Sequence, residues 1–301
     1  MPQSTTDPEI PTYSPDIPEP PHRPRPLGVR SFGMTDRGLV RESNEDQFLI
    51  ASLTKALEIQ QSSLPQSRSK NADDMGRIFL VADGVGGAAA GEVASALVVE
   101  SIEDFLVNTL RWFFQLKGPE TDNVVLEFQE ALRQAEARIF AEAARHPELE
   151  GMGTTLTLAY SLGENLFVAN AGDSRCYVFR NGELTQLTCD HSLAQDAVRQ
   201  GLIPDSQKER IFHGHTLTNA VGGRTPGVRT EVHKATLKSG DVVLLATDGL
   251  TRSVSDDRIA ATLKAESDPE IACRRLVSLA IEQGGRDNIT VIVACYDVHA
   301  D

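Results

Sequence analysis

Cysteine is scarce in this chain, which has four in 301 residues. None forms a C-x-x-C pair or stands at zinc-ligand spacing from a histidine, which argues against a structural zinc site. We expect all of them to be small buried hydrophobic side chains. They are Cys176, Cys189, Cys273 and Cys295.

Long apolar runs are also lacking. No stretch of about 18 apolar residues, the length needed to span a bilayer, is present. The N-terminus has proline and acidic residues where a signal peptide has a basic and then an apolar stretch. The sequence therefore predicts a cytoplasmic protein with no membrane segment.

Basic residues are outnumbered, with 29 Lys and Arg against 43 Asp and Glu and a net charge of −14. Nucleic-acid binders need a basic surface, so this balance argues against nucleic acid as a partner. Bound divalent cations would offset part of the negative charge locally and create an anion site within an acidic protein.

The first 26 residues hold nine of the fifteen prolines and almost no core-forming side chains. We interpret residues 1–26 as a disordered, Pro-rich tail. The folded domain is expected over residues 27–299, with a polar insertion at Gln60–Asp74 and a flap, a candidate mobile segment, at about 190–228.

Strands are predicted at both ends of the domain, with helices between and after them. This order does not alternate as βαβ units do, so it indicates an α+β sandwich of antiparallel sheets covered by helices. Asn181-Gly182 predicts a type I′ hairpin turn, and Ser267-Asp268-Pro269-Glu270 predicts a capping box that begins the last helix. The predicted strands are Val29–Gly38, Gln47–Leu53, Thr154–Ser161, Leu166–Ala171, Cys176–Arg180, Leu184–Leu187, Thr230–Ala235, Val242–Ala246 and Ile289–Cys295. The predicted helices begin near Glu92, Thr121, Leu193 and Ser267.

Two apolar runs end in the same way, Ile78–Val81 before Asp83-Gly84 and Val242–Leu245 before Asp248-Gly249. Asp-Gly is an ordinary turn pair, but a buried carboxylate at a strand end is costly unless a cation or donors compensate it. Two further acidic clusters lie near the chain ends. If all four meet in space, they form a site for hard divalent cations. The further clusters are Asn44-Glu45-Asp46 and Arg286-Asp287-Asn288.

A series of short motifs runs along the domain. The motifs are Thr35-Asp36-Arg37-Gly38 with Arg41, Asn44-Glu45-Asp46, Ala82–Gly87 with Gly91-Glu92, Gly153-Thr154-Thr155, Asn170–Arg175, Ala246–Gly249 and Asp287-Asn288. Taken together, they resemble the metal-dependent type-2C (PPM) serine/threonine protein phosphatases of the bacterial type, and they occur in the family's order from about residue 29 to residue 297. The resemblance implies a four-layer αββα sandwich, with two antiparallel sheets flanked by helices, and a phosphoprotein phosphatase that uses Mn²⁺ or Mg²⁺.

The resemblance also implies metal-binding roles. Asp83 would bridge two ions, and Asp248 and Asp287 would complete the protein ligands of one of them. The Gly84 carbonyl and the Glu45-Asp46 pair, chiefly Asp46, would serve the other ion.

Asp173 has two interpretations that stay open. By resemblance it is the ligand of a third, weaker ion. In its local sequence, Gly172-Asp173-Ser174, it is equally a turn residue between strands. Asp36 matches the motif too, where it either takes part in the site or braces the first loop.

Arg41 would bind the substrate phosphate, because a guanidinium presents paired donors to two phosphoryl oxygens. The resemblance implies in-line attack by a metal-bridging water, with no covalent intermediate. No cysteine has an arginine six positions later, which argues against a cysteine-based phosphatase.

The chain departs from several relatives that carry histidine directly after Asp-Gly, because it has Val85 there. A metal-bound water or His191 would then protonate the leaving group, although a structural role for His191 is the favoured interpretation. His213 and His215 are interpreted as flap residues exposed to solvent. The glycines that follow Asp83 do not fit a dinucleotide-binding loop.

Three functions are compared. The main prediction is a phosphatase acting on phosphorylated proteins, which are the products of a serine/threonine kinase. The alternatives are a dedicated phosphatase of one regulatory phosphoprotein and a non-catalytic phosphatase-like binding module. Retention of all four ligand aspartates argues against the binding module.

Overall fold

A computed structural model describes residues 27–53, 56–57, 70–71, 76–86, 88–113, 121–204 and 216–298. The Pro-rich tail, most of the Gln60–Asp74 insertion, and both His213 and His215 lie outside these ranges. No helix in the described ranges is long and apolar enough to span a membrane.

The strands agree closely with the apolar runs of the sequence. Most bounds differ from the predicted ones by one or two residues, and the last strand is three residues longer at its C-terminal end. The strands are β1 (Leu27–Asp36), β2 (Asp46–Leu53), β3 (Ala56–Leu57), β4 (Lys70–Asn71), β5 (Gly76–Val85), β6 (Gly153–Thr154), β7 (Leu156–Leu162), β8 (Asn165–Ala171), β9 (Arg175–Arg180), β10 (Glu183–Gln186), β11 (Val221–Gly222), β12 (Glu231–Thr236), β13 (Asp241–Ala246) and β14 (Ile289–Val298).

The helices include two that the sequence did not reveal, α4 and α5. The α5 helix is short, and only Ile259, Thr262 and Leu263 on it are buried, so its apolar pattern is weak. The helices are α1 (Ala88–Phe113), α2 (Thr121–Arg145), α3 (Leu193–Arg199), α4 (Asp248–Thr251), α5 (Asp256–Ala265) and α6 (Pro269–Glu282).

The predicted capping box at α6 is wrong in detail. The N-cap is Asp268 rather than Ser267, and its carboxylate accepts hydrogen bonds from the backbone N–H groups of Glu270 and Ile271. The Glu270 side chain accepts from Arg274 instead of returning to the cap. The Asn181-Gly182 turn between β9 and β10 is confirmed, with φ angles of 53° and 89°.

Two antiparallel sheets form the centre of the molecule. The first has the strand order β1-β14-β13-β9-β10, and the second has the order β11-β6-β5-β7-β8-β12, with β2 paired to β5. The long β5 strand therefore has β2 on one side and β7 on the other.

Three separate apolar cores establish the layer order. One packs α1 and α2 against the second sheet, around Leu80, Ile102 and Leu132. A central core joins the two sheets around Phe79, Val168 and Leu245. A third packs α4, α5 and α6 against the first sheet. The predicted αββα sandwich is thus confirmed.

The cysteines follow their prediction closely. All four are free thiols, and Cys176, Cys273 and Cys295 are buried, while Cys189 is half-buried. Burial raises the pKa of the Cys189 thiol above its ordinary value.

Candidate functional site

A cleft of about 490 Å³ opens at one edge of the sandwich and collects most of the predicted site residues. Asp46 pairs with Asp83, which lines the cleft, and has 2% of its own surface exposed. The predicted residues that line the cleft are Arg41, Asp83, Gly84, Asp173, Asp248 and Asp287.

Strand register brings these distant segments together. Asp46 and Asp83 are direct partners in the antiparallel β2–β5 pair. Ala246 pairs with Arg175 between β13 and β9, so Asp248 and Asp173 each lie two residues beyond that pair at the same sheet edge. Asp287 precedes β14, which is the other neighbour of β13.

Asp46 is oriented by two threonines. The hydroxyls of Thr247 and Thr290 donate to its Oδ2 atom at 2.8 and 2.7 Å. Its Oδ1 atom is buried and has no hydrogen-bond partner among the described residues. Burial raises the pKa of Asp46 to about 7, against the opposing effect of the two hydroxyls.

Asp83 is held through its backbone. Its N–H donates to the Thr155 hydroxyl at 3.0 Å, and its carbonyl accepts from the Thr155 N–H at 2.8 Å. Burial first, then the nearby carboxylates of Asp248 and Asp46, raise its pKa well above the ordinary value. A cation is the natural compensation for such a pair.

Glycines allow the backbones around Asp83 to approach closely. A side chain at Gly84 would overlap the backbone of Gly91 near the start of α1, and one at Gly91 would overlap the Glu45 carboxylate. Glu45 is also buried, and its carbonyl accepts from the Gly84 N–H and the Ser95 hydroxyl. These contacts hold Glu45 at the edge of the cleft.

The second Asp-Gly glycine has a packing role that sequence reasoning missed. Asp-Gly is an ordinary turn pair, but a side chain at Gly249 would overlap the Asn288 carbonyl oxygen. The Asn288 side chain in turn accepts from the Glu45 N–H and donates to the carbonyls of Arg37 and Ser43. The contacts of Asn288 therefore join α4, the start of β14 and the loop that carries Arg41.

Two arginines pair with the carboxylates of the cleft. Arg41 makes two contacts with Asp287, Nε to Oδ1 at 2.8 Å and Nη2 to Oδ2 at 2.9 Å. Arg252 contacts Asp173 at 2.7 Å and Asp248 at 2.6 Å. Sequence reasoning missed Arg252, although its place four residues after Asp248 was a usable signal.

The donor set fits a hard divalent cation. Among the described residues, no three His, Cys, Asp or Glu side chains are arranged to hold an ion as they stand, and the two arginines lie against three of the carboxylates. However, the donors are all oxygens, which Mn²⁺ and Mg²⁺ prefer. Asp248 Oδ1, like Asp46 Oδ1, is buried and has no hydrogen-bond partner in the part of the chain that the structure describes. These two oxygens are free to accept a cation.

Two candidate residues have structural roles. The Asp36 carboxylate accepts from the Gly38 N–H at 2.7 Å and braces the first loop. The His191 ring is fully engaged: Nδ1 accepts from the Gly172 N–H at 3.1 Å, and Nε2 lies 3.1 Å from Glu231 Oε2. His191 therefore supports the turn that carries Asp173.

Comparison with known proteins identifies the class. The protein phosphatase 2C family profile matches residues 61–275. The serine/threonine protein phosphatase PstP of Mycobacterium tuberculosis is 34% identical over 271 residues, which cover 89% of this chain and 45% of PstP. The chain belongs to the protein phosphatase 2C family, as its motifs indicated.

One further relative and a solved structure of the PstP catalytic domain cover the domain more completely. The serine/threonine phosphatase stp of Listeria innocua is 29% identical over 86% of this chain and 92% of its own. The crystal structure of the PstP catalytic domain in complex with two manganese ions has a TM-score of 0.69 at 32% identity, covering 90% of this chain and 99% of that one. This chain spans less than half of full-length PstP and nearly all of its catalytic domain.

Proposed function

We propose that the protein is a metal-dependent serine/threonine protein phosphatase that hydrolyses phosphoserine and phosphothreonine by in-line attack of water on phosphorus. The observation that carries the proposal is the facing pair of buried Asp46 and half-buried Asp83, with Asp248 and Asp287 beside Asp83 in one cleft. Family membership and a manganese-bound relative support it.

We assign the residues as follows. Asp83 would be shared by two ions, Asp248 and Asp287 would hold one of them, and Asp46 with the Gly84 carbonyl would hold the other. When bound, Mn²⁺ or Mg²⁺ lowers the pKa of a water and withdraws charge from the phosphate. Thr247 and Thr290 fix Asp46 so that its partner-free oxygen remains available.

Arg41 is assigned to the substrate phosphate. Its guanidinium is half-exposed at the cleft, and its twofold contact with Asp287 shows the geometry that it would present to two phosphoryl oxygens. Substrate binding would exchange the carboxylate for a phosphate, which also frees Asp287 for a metal.

The leaving serine or threonine oxygen needs a proton from a group other than His191. Burial lowers the pKa of His191, although the nearby Glu231 carboxylate acts to raise it. Both ring nitrogens already have hydrogen-bond partners. Val85 contributes no proton at the cleft wall. We therefore assign this proton to solvent within the cleft.

The substrates are proposed to be phosphorylated proteins that serine/threonine kinases produce in the cytoplasm. The free thiols fit a reducing compartment. Residues 27–299 are proposed to form the complete catalytic domain, with substrate selectivity in the flap at 190–228. The described elements from Leu27 to Val298 support that extent.

The test measures hydrolysis of an aryl phosphate and of matched phosphoserine and phosphothreonine peptides against Mn²⁺ and Mg²⁺ concentration. We expect turnover that excess EDTA abolishes, and loss of turnover in folded Asp83→Asn and Asp248→Asn variants. Exposed Asp257→Asn, on α5, is the matched control. Turnover that persists in EDTA would refute the metal mechanism.

A further inference from the structure

The Arg252 guanidinium bridges two carboxylates that belong to different elements. Its Nη1 atom lies 2.6 Å from Asp248 Oδ2, and its Nη2 atom lies 2.7 Å from Asp173 Oδ2. Asp173 follows β8, whereas Asp248 begins α4. A single positive charge therefore joins Asp173, to which the resemblance assigns a third ion, with Asp248, which is assigned to one of the two main ions.

The backbone fixes this arrangement. Arg252 is the C-cap of α4, and its N–H donates to the Asp248 carbonyl at 2.9 Å. One helical turn thus brings the Arg252 side chain back beside Asp248. The β13–β9 register places Asp173 on the other side of the same guanidinium.

Burial makes both contacts strong. The side chains of Asp173 and Asp248 are 7% and 10% exposed, and that of Arg252 is 28% exposed. Hydrogen bonds between charged groups in such a setting are short and strong, and an arginine does not lose its proton near neutral pH. A divalent ion between these carboxylates would have to displace a permanent cation.

The contact also orients Asp248. Arg252 occupies its Oδ2 atom, while its Oδ1 atom is buried with no hydrogen-bond partner. The arginine therefore leaves one defined oxygen of Asp248 available to a metal.

We propose that Arg252 is a positioning residue whose guanidinium takes the place of a third divalent ion between Asp173 and Asp248, so that this chain binds two ions. The inference rests on the proposed function, and it replaces the third-ion role that the resemblance implied for Asp173.

The experiment counts ions directly. The purified chain is dialysed to equilibrium against saturating Mn²⁺, and bound manganese per chain is measured by atomic absorption. We expect two ions in the unaltered protein, two in Arg252→Lys, which keeps the charge, and three in Arg252→Gln. Adding Asp173→Asn to Arg252→Gln should return the count to two.

The outcomes separate the two proposals. Three ions in the unaltered protein, or two in folded Arg252→Gln, would overturn the role of Arg252. No bound manganese in the unaltered protein would instead remove the metal-dependent function. Circular dichroism melts establish that each variant is folded, and the count in the unaltered protein tests the inference even if a variant is not.

Discussion

Asp46 and Asp83 face each other across the β2–β5 strand pair, so a buried carboxylate and a half-buried one lie side by side on one edge of the second sheet. Like charges opposite each other in a strand pair are destabilising. Burial is the main reason why the pKa of each is raised, and the neighbouring Asp248 carboxylate raises both further, with Asp46 adding to the effect on Asp83. The cleft therefore lowers the stability of the metal-free protein, and bound cations would remove that cost.

The first prediction concerns the pH dependence of stability without metal. Asp46 has a folded-state pKa of about 7 and Asp173 of about 6, both above the ordinary 3.8. Between the ordinary and the raised values the folded state binds more protons than the unfolded state, so stability falls as pH rises. In EDTA we expect the melting temperature to fall from about pH 4 to about pH 7 because of these groups.

The matched control is Asp46→Asn. It should reduce this pH dependence because it removes Asp46, which has the higher folded-state pKa of the two carboxylates. Mn²⁺ should raise the melting temperature most at the high-pH end, since it binds the ionised carboxylates. A metal-free stability that rises between pH 5 and 7 in the unaltered protein would contradict the prediction.

The second prediction concerns the threonines behind Asp46. The Thr290 hydroxyl donates to Asp46 and pairs with the Thr35 hydroxyl at 2.8 Å, so Thr290→Val removes one of two groups that orient the carboxylate. Loss of a hydrogen bond to a ligand typically weakens metal affinity by roughly 10- to 100-fold. We expect a weakening of this size in Mn²⁺ titrations.

Thr262→Val is the control, because Thr262 lies on α5 and its hydroxyl donates to the Arg258 carbonyl within that helix. Its manganese affinity should stay within about twofold of the unaltered protein, as expected for a change outside the ligand shell. Equal affinities for the two variants would show that Thr290 does not orient Asp46.

The third prediction separates a structural His191 from an acid catalyst. The variant His191→Gln lacks the imidazole ring, whose Nδ1 atom accepts a hydrogen bond from the Gly172 N–H and whose Nε2 atom contacts Glu231. We expect a melting temperature several degrees lower, about the effect of one or two lost buried hydrogen bonds. The pKa values in the pH–rate profile should not change.

Exposed His146→Gln, at the end of α2, serves as the control and should alter neither property. If His191→Gln instead abolished the basic limb of the kcat profile, His191 would be the proton donor and the assignment to solvent would be wrong.

Much of the site was predictable because the chemistry is concentrated in local patterns. An apolar strand that ends in Asp-Gly is visible in sequence, and the order of the motifs indicated the family. The strand register that makes Asp46 and Asp83 direct partners is a long-range property, and no local pattern specifies it.

The missed features depend on contacts between segments distant in sequence. The roles of Thr290 and Asn288 depend on the place of β14 beside β13, and Arg252 pairs with a residue 79 positions away. The α5 helix was missed for a different reason, since its ten residues bury only three side chains and give weak periodicity.

The last prediction concerns the two Asp-Gly glycines, which now have comparable mechanical roles. Alanine at Gly84 would overlap the Gly91 backbone, and alanine at Gly249 would overlap the Asn288 carbonyl. Because the overlapped atoms belong to the backbone, no side-chain movement of a neighbour can relieve either overlap. We expect both variants to lose stability by more than the roughly 1 kcal/mol of an ordinary unfavourable glycine substitution.

Gly163→Ala is the control, because that turn glycine has φ 57° and, among the described residues, no atom within 4 Å of the added carbon. Urea unfolding measures all three. A Gly249→Ala variant as stable as Gly163→Ala would mean that Gly249 only turns the chain, as its sequence first suggested.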